Sequence, residues 1–170
     1  MSYFTYETEL VVERHLVGKG IRKVPYTVVW LPDPLKDELD IRNNPRLRVT
    51  GEINDHPFNG AWQPAGDDRY YLMVPKSIQK ETGLSIGDMI VLRFNVADQN
   101  EVELPDALIS LLDIDEEFKA IWLELTPGKQ RSFAYRVSSA KTEVTVQKRV
   151  AEVTKMVKEG LFYTKGGKIK

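Results

Sequence analysis

The stretch Gly83-Leu84-Ser85-Ile86-Gly87 carries the letters of a nucleophile elbow. That spacing serves acyl transfer when a strand, a sharp turn and a helix raise the serine hydroxyl above a sheet, beside an oxyanion hole. Here a helix-like segment precedes and a strand-like run follows. The only two histidines, His15 and His56, both lie before Ser85, so the base is missing from its usual place in the chain order. A serine hydrolase is therefore the disfavoured reading, and the two glycines are expected to stop a helix and open a turn. No cysteine is present, which excludes disulfides, thiolate zinc sites, iron–sulfur clusters and a cysteine nucleophile. Asp113-Ile114-Asp115-Glu116-Glu117 lacks the glycine and distal glutamate of a calcium loop, and reads as a helix cap. Asp67-Asp68 offers carboxylates to a cation, but aspartates are expected in turns in any case. Gly18-Lys19-Gly20 is too short for a phosphate loop, and Gly166-Gly167-Lys168 sits in a frayed segment. The expectation is no catalytic residue, no metal and no cofactor.

Charge supplies the other candidate chemistry. The 170 residues carry a net charge of -1, but from Lys129 onward 11 Lys and Arg face three acids, leaving an acidic body before them. Two accounts compete: attraction between body and tail across an internal contact, which is favoured, or an anionic partner such as nucleic acid. The residues for the second are Lys129, Arg131, Arg136, Lys141, Lys148 and Arg149, with Lys155 further along. Phosphate binding needs such charge gathered on one face. Lys148 with Glu152, and Lys155 with Glu159, are instead spaced four apart with opposite signs, as on a solvated helix.

These residues must be positioned by two kinds of element. Before residue 100 apolar residues recur at every second position, the rhythm of strands. Leu47, Val49, Gly51 and Ile53 share one face, as do Ile90, Leu92, Phe94 and Val96, with Arg93 and Asn95 on the other side. Asn54-Asp55-His56-Pro57 and Gly66-Asp67-Asp68 mark reversals, and Tyr70 to Val74 is apolar on both faces. About six strands result, and a closed or nearly closed barrel would remove their exposed edges. From Leu104 the period becomes helical. Pro105 begins a short segment through Leu112, and acids at 115–117 open a helix presenting Phe118, Ile121, Trp122 and Leu125. Thr126-Pro127 opens a third helix through about Ala140, and Thr142 to Glu159 forms the last, with Val146, Val150, Val153 and Val157 along one stripe.

Val49-Thr50-Gly51-Glu52-Ile53-Asn54 with Pro57-Phe58, then Pro64-x-Gly66, Tyr71 to Val74, and Gly83-x-x-x-Gly87-Asp88-x-Ile90-x-Leu92 resemble the family called domain of unknown function 1905. Val102-Glu103-Leu104-Pro105-x-x-Leu108, Leu125 to Arg131 and Ala140-Lys141 are similar to the bacteriocin-protection family called YdeI or OmpD-associated. The resemblance implies a double-split β-barrel of the AbrB and MazE class, followed by the second family's helices. Val74-Pro75-Lys76-x-Ile78 also resembles the AbrB pattern, whose class binds DNA, although kinship of fold does not carry the activity with it. The tail departs from its family where valines, Val144 and Val146, stand at a glutamate and an arginine position.

The resulting expectation is an α+β chain: a small closed β-barrel over residues 1–100 and a helical tail over 101–170. Its function is read as a non-enzymatic binding or stress and bacteriocin-protection module, with a nucleic-acid binder as the alternative. An unidentified ligand or protein partner would sit in a barrel mouth or a barrel–tail crevice. Trp62 and Trp122 either line such a site or, as favoured, belong to the core. No membrane partner is expected, the oligomer is a monomer or homodimer, and the setting is a bacterial cytoplasm. The acids Glu7 and Glu9 stand where a secretory signal would be basic.

Overall fold

The computed structural model describes residues 3–17 and 22–161, and the chain divides into two compact units after Gln99. Gly18-Lys19-Gly20, the 162–170 segment and the side chain of His15 lie outside the described residues.

The first unit holds two four-stranded antiparallel sheets. One has the order β1-β8-β4-β5, built from β1 (Phe4–Glu9), β8 (Met89–Val96), β4 (Arg48–Ile53) and β5 (His56–Ala61). The other has the order β2-β3-β7-β6, from β2 (Val11–Val17), β3 (Arg22–Trp30), β7 (Arg69–Met73) and β6 (Gln63–Gly66). Two short helices complete the unit, α1 (Asp33–Glu38) and α2 (Lys76–Thr82). Neither sheet closes on itself, so the closed barrel expected from the sequence is replaced by two open sheets over one core. The chain passes between sheets at two single residues, Leu10 and Trp62. Both side chains are fully buried, and their amides bond to Asp88 O (2.9 Å) and Leu47 O (3.0 Å). The edges that closure was expected to remove are managed otherwise. Pro57 and Pro64 stand on edge strands β5 and β6, and Glu7 and Glu9 on edge strand β1.

The reversals follow from local chemistry. Asn54 and Asp55 have φ of 46° and 65°, and Asp67 and Asp68 have 50° and 54°. Pairs of left-handed residues are what a two-residue hairpin needs to match strand twist, and Asn and Asp tolerate that region best after glycine. The expected inward set is met by Leu47, Val49 and Ile53, and by Ile90, Leu92 and Phe94, all buried. Val96 departs from it and is exposed, while Asn95 is buried instead. Burial pushes the Tyr6 hydroxyl up, and that hydroxyl donates to Trp30 O, tying β1 to β3 across the sheets. A charge network fixes the β6–β7 turn. Arg42 donates to both oxygens of Asp68 (2.9 and 2.8 Å) and to Asp37, and the buried Lys36 pairs with Asp33 at 2.7 Å. The carboxylate of Asp68 is therefore occupied by the chain's own cations.

The second unit packs four helices: α3 (Asp106–Ile114), α4 (Glu116–Leu123), α5 (Pro127–Ser138) and α6 (Glu143–Lys158). Asp115, Thr126 and Thr142 cap the last three, accepting from the amides of Phe118, Lys129 and Thr145. Leu108, Phe118, Trp122, Phe133, Val137, Val153 and Val157 form the core. Lys158 reaches Asp115 and Glu117, each at 2.8 Å, and Arg136 pairs with Glu152. Lys158, and then the amide of Phe118, hold the Asp115 carboxyl below the usual carboxylate range, and Arg136 does the same for Glu152. Carboxyls lowered in the folded state add stability above their unfolded pKa and lose it as pH falls through the folded one. Urea midpoints of the helical unit are therefore expected to fall as pH drops below about 4. In Asp115→Asn that fall is shallower, which midpoints collected along a pH series would show.

Candidate functional site

Three of the six basic residues singled out from the sequence bond within the helical unit. Arg131 Nη1 donates to Glu101 O at 3.1 Å, and Arg136 pairs with Glu152. Arg149 Nη1 donates to Arg136 O (2.7 Å) and Ser139 Oγ (2.9 Å). A guanidinium on α6 thus satisfies the carboxyl end of α5, where unpaired carbonyls and the helix dipole favour a cation. Lys129, Lys141 and Lys148 are exposed, at the start of α5, just before α6 and within α6. The fold thus brings Arg136 and Arg149 together between α5 and α6. Arg149→Ala is expected to cost the helical unit about 1 kcal/mol while leaving any retention on duplex DNA unchanged; thermal melts and a DNA column run on the same sample check both.

Ser85 lies between α2 and β8, the reverse of the elbow order. Gly83 (φ 70°) ends α2 and Gly87 (φ 93°) turns the chain toward β8, while Asp88 accepts from the Ser85 amide at 2.8 Å. Trp62 and Trp122 are core residues, the first edge-on to Phe94 and the second stacked on Phe118. Among the described residues no group of three or more His, Asp or Glu is gathered to hold a metal ion, and no helix is long and apolar enough to cross a membrane.

What the sequence reading missed is a cleft of about 460 Å³ in the first unit. Its walls are three strand segments, residues 25–27 of β3, 59–61 of β5 and 72–73 of β7, closed at one end by the start of α2. Leu72 forms part of the floor because Gly60 makes room for it. A Cβ on Gly60 would stand 2.8 Å from Leu72 Cδ1. Gln79 Nε2 donates to Val74 O at 2.9 Å and holds the passage from β7 into α2. The lining is mainly apolar, with Thr27, Asn59, Gln63 and Gln79 as neutral polar groups and Lys76 as its only side chain charged at neutral pH. A volume of a few hundred Å³, apolar walls and a few converging polar groups are the usual make-up of a small-ligand site. Two other depressions differ. One on the outer face of the first sheet, about 470 Å³, has Arg93 lying over the Tyr3 ring and 3.9 Å from Glu52. A shallower groove in the helical unit, about 630 Å³, is lined by Glu103, Asp106 and Glu143, the last two in first turns where acids stabilise their own helices.

Residues 16–94 match the family model described as domain of unknown function (DUF1905). Residues 101–160 match the family described as Bacteriocin-protection, YdeI or OmpD-Associated. The two matches stand in tandem along the chain. This is the pair and the order that the sequence motifs implied. No curated protein matches the chain. The whole cleft falls within the DUF1905 match, and the six basic residues fall within the second. Val146, at the arginine position of the second family's pattern, packs against the helical core, and Val144 is exposed.

Proposed function

We propose that the protein is a binding module that works without turnover, using the cleft of its DUF1905 domain to hold a ligand with an apolar body and one anionic group. The observation carrying this reading is the lining itself. Apolar walls remove an apolar body from water, worth about 25 cal/mol per Å² buried. Lys76 is the one charge placed to meet an anion at the rim. Catalysis of acid–base or nucleophilic type calls for paired groups of matched pKa, and the lining holds no carboxylate or imidazole beside its one ammonium, only the hydroxyls of Tyr26 and Thr27 and three amides. The description of the second domain's family by bacteriocin protection fits the same reading, with protection exerted by sequestration. The test uses anilinonaphthalene sulfonate, an apolar body bearing one anionic group. Its fluorescence is expected to rise saturably on the native chain. Lys76→Glu is expected to weaken binding about tenfold, or about 1.4 kcal/mol. Equal binding by both proteins, or recovery of a chemically altered ligand after incubation with cell extract, contradicts the proposal.

A further inference from the structure

The cleft walls include unpaired backbone as well as side chains. The two-residue turn at Asn54 and Asp55 makes Ile53 and His56 a hydrogen-bonded pair, and bonding alternates along an antiparallel ladder. Phe58 and Gly60 therefore bond to β4, and Pro57, Asn59 and Ala61 direct their backbone groups outward. The opposite strand has the same parity: Arg48, across from Ala61, accepts at its carbonyl from the Ala97 amide on its other side (3.0 Å). Pro57, lacking an N–H, falls in the outward set where no ladder partner is needed.

The facing strand is read in the same way. Tyr70 O accepts from the Leu31 amide and the Val74 amide donates to Thr27 O, each at 2.9 Å, so Tyr70, Leu72 and Val74 turn toward β3. Tyr71 and Met73 turn the other way. Tyr71 stands opposite Gln63 of β6, and the same register carried two residues further sets Met73 opposite Ala61. That rung is not made, because the strand leaves for the other sheet at Trp62. The Ala61 carbonyl accepts a long bond from Gln63 Nε2 (3.5 Å). No strand pairs with the outward edge of β5, and the pairing of β6 with β7 ends at Gln63 and Tyr71, short of Met73.

We propose that the occupant of this cleft is an extended peptide segment, added as a strand along β5 through Asn59 and Ala61 and meeting Met73 at the narrow end. Alternate apolar side chains of the peptide rest on Leu72 and Tyr26, and a carboxylate meets Lys76. Strand addition obtains affinity from main-chain hydrogen bonds and selectivity from pockets for every second side chain, which is what the slot and its floor provide. Charge points the same way, since the only charged lining residue is a cation. This inference rests on the proposal that the cleft is a ligand site, and its test separates the two.

The probe is a pool of acetylated hexapeptides alternating Val, Leu, Ile or Phe with Thr and ending in a free carboxylate. It is passed over the full-length chain, and retained members are identified by mass. A retained member is expected to slow amide exchange at Asn59, Ala61 and Met73 about tenfold or more. Remade with N-methyl groups on one alternate set of amides it is expected to lose binding, and with the other set to keep it, because only one edge of the peptide faces β5. Retention indifferent to which set is methylated overturns strand addition. So does a pool that fails to bind while the anilinonaphthalene sulfonate binds, and in both cases the ligand cleft stands. Failure of peptides and dye together overturns the cleft as well.

Discussion

Gly51→Ala is expected to destabilise the first unit by about 3 kcal/mol, the upper end of what overpacking usually costs. Gly51 sits in β4 between β5 and β8, and a Cβ built on it would stand 2.0 Å from Arg93 O and 2.6 Å from Phe94 Cα. Both are backbone atoms of a central strand, so no side-chain rotation relieves the overlap, and β8 must move away from β4. That movement disturbs the rungs from Val49 to Ile53 and the buried Phe94 beneath them. Gly60 is the built-in comparison. Its added Cβ meets the end of a leucine side chain, which can turn aside, so Gly60→Ala is expected to cost less. Urea unfolding of the two variants side by side measures the difference, and equal midpoints would remove backbone contact as the reason for glycine at position 51.

Trp62→Ala is expected to cost more, about 3–5 kcal/mol. Trp62 is fully buried at one of the two single-residue crossings between the sheets, with its ring 5.6 Å from Phe94 in an edge arrangement. Truncation leaves a cavity at a corner held on both sides by hydrogen-bonded strands, which cannot readily collapse. The indole Nε1 has no hydrogen-bond partner among the described residues. Folding therefore strips water from that donor without replacement, a cost of about 1–3 kcal/mol. Trp62→Phe keeps most of the ring and removes the unpaired donor, so its net effect is expected to be less than half that of Trp62→Ala. Chemical denaturation of the pair checks the ratio.

Elements set by local chemistry were legible in the sequence. The caps at Asp115, Thr126 and Thr142 form within their own first turns, and the left-handed pairs at 54–55 and 67–68 need only the tolerance of Asn and Asp. Helical spacing picked out Phe118, Trp122, Val153 and Val157, which are buried. Helix α1 escaped because six residues containing Pro34 give neither a period nor a strong propensity. The corner at Leu10 is hidden for another reason: the strand passes from β1 to β2 without a turn residue to mark it, so alternation alone does not separate the two. The partners of Arg136 and Arg149 lie 16 and 10 to 13 positions away, beyond the four-residue pairs visible along a single helix. The cleft was hidden because its walls come from separate strand segments spread over residues 25–79 and consist partly of backbone. Its one trace was the run Tyr70 to Val74, apolar on both faces, of which Met73 is the half-exposed member.

The most direct measurement is a map of amide chemical shifts in the full-length protein as anilinonaphthalene sulfonate is added. A ligand held in the cleft is expected to move Thr27, Asn59, Ala61, Met73 and Lys76 together along one saturating curve, with α5 and α6 unmoved. Shifts centred on Lys141, Lys148 and Arg149 with the cleft silent would contradict the account.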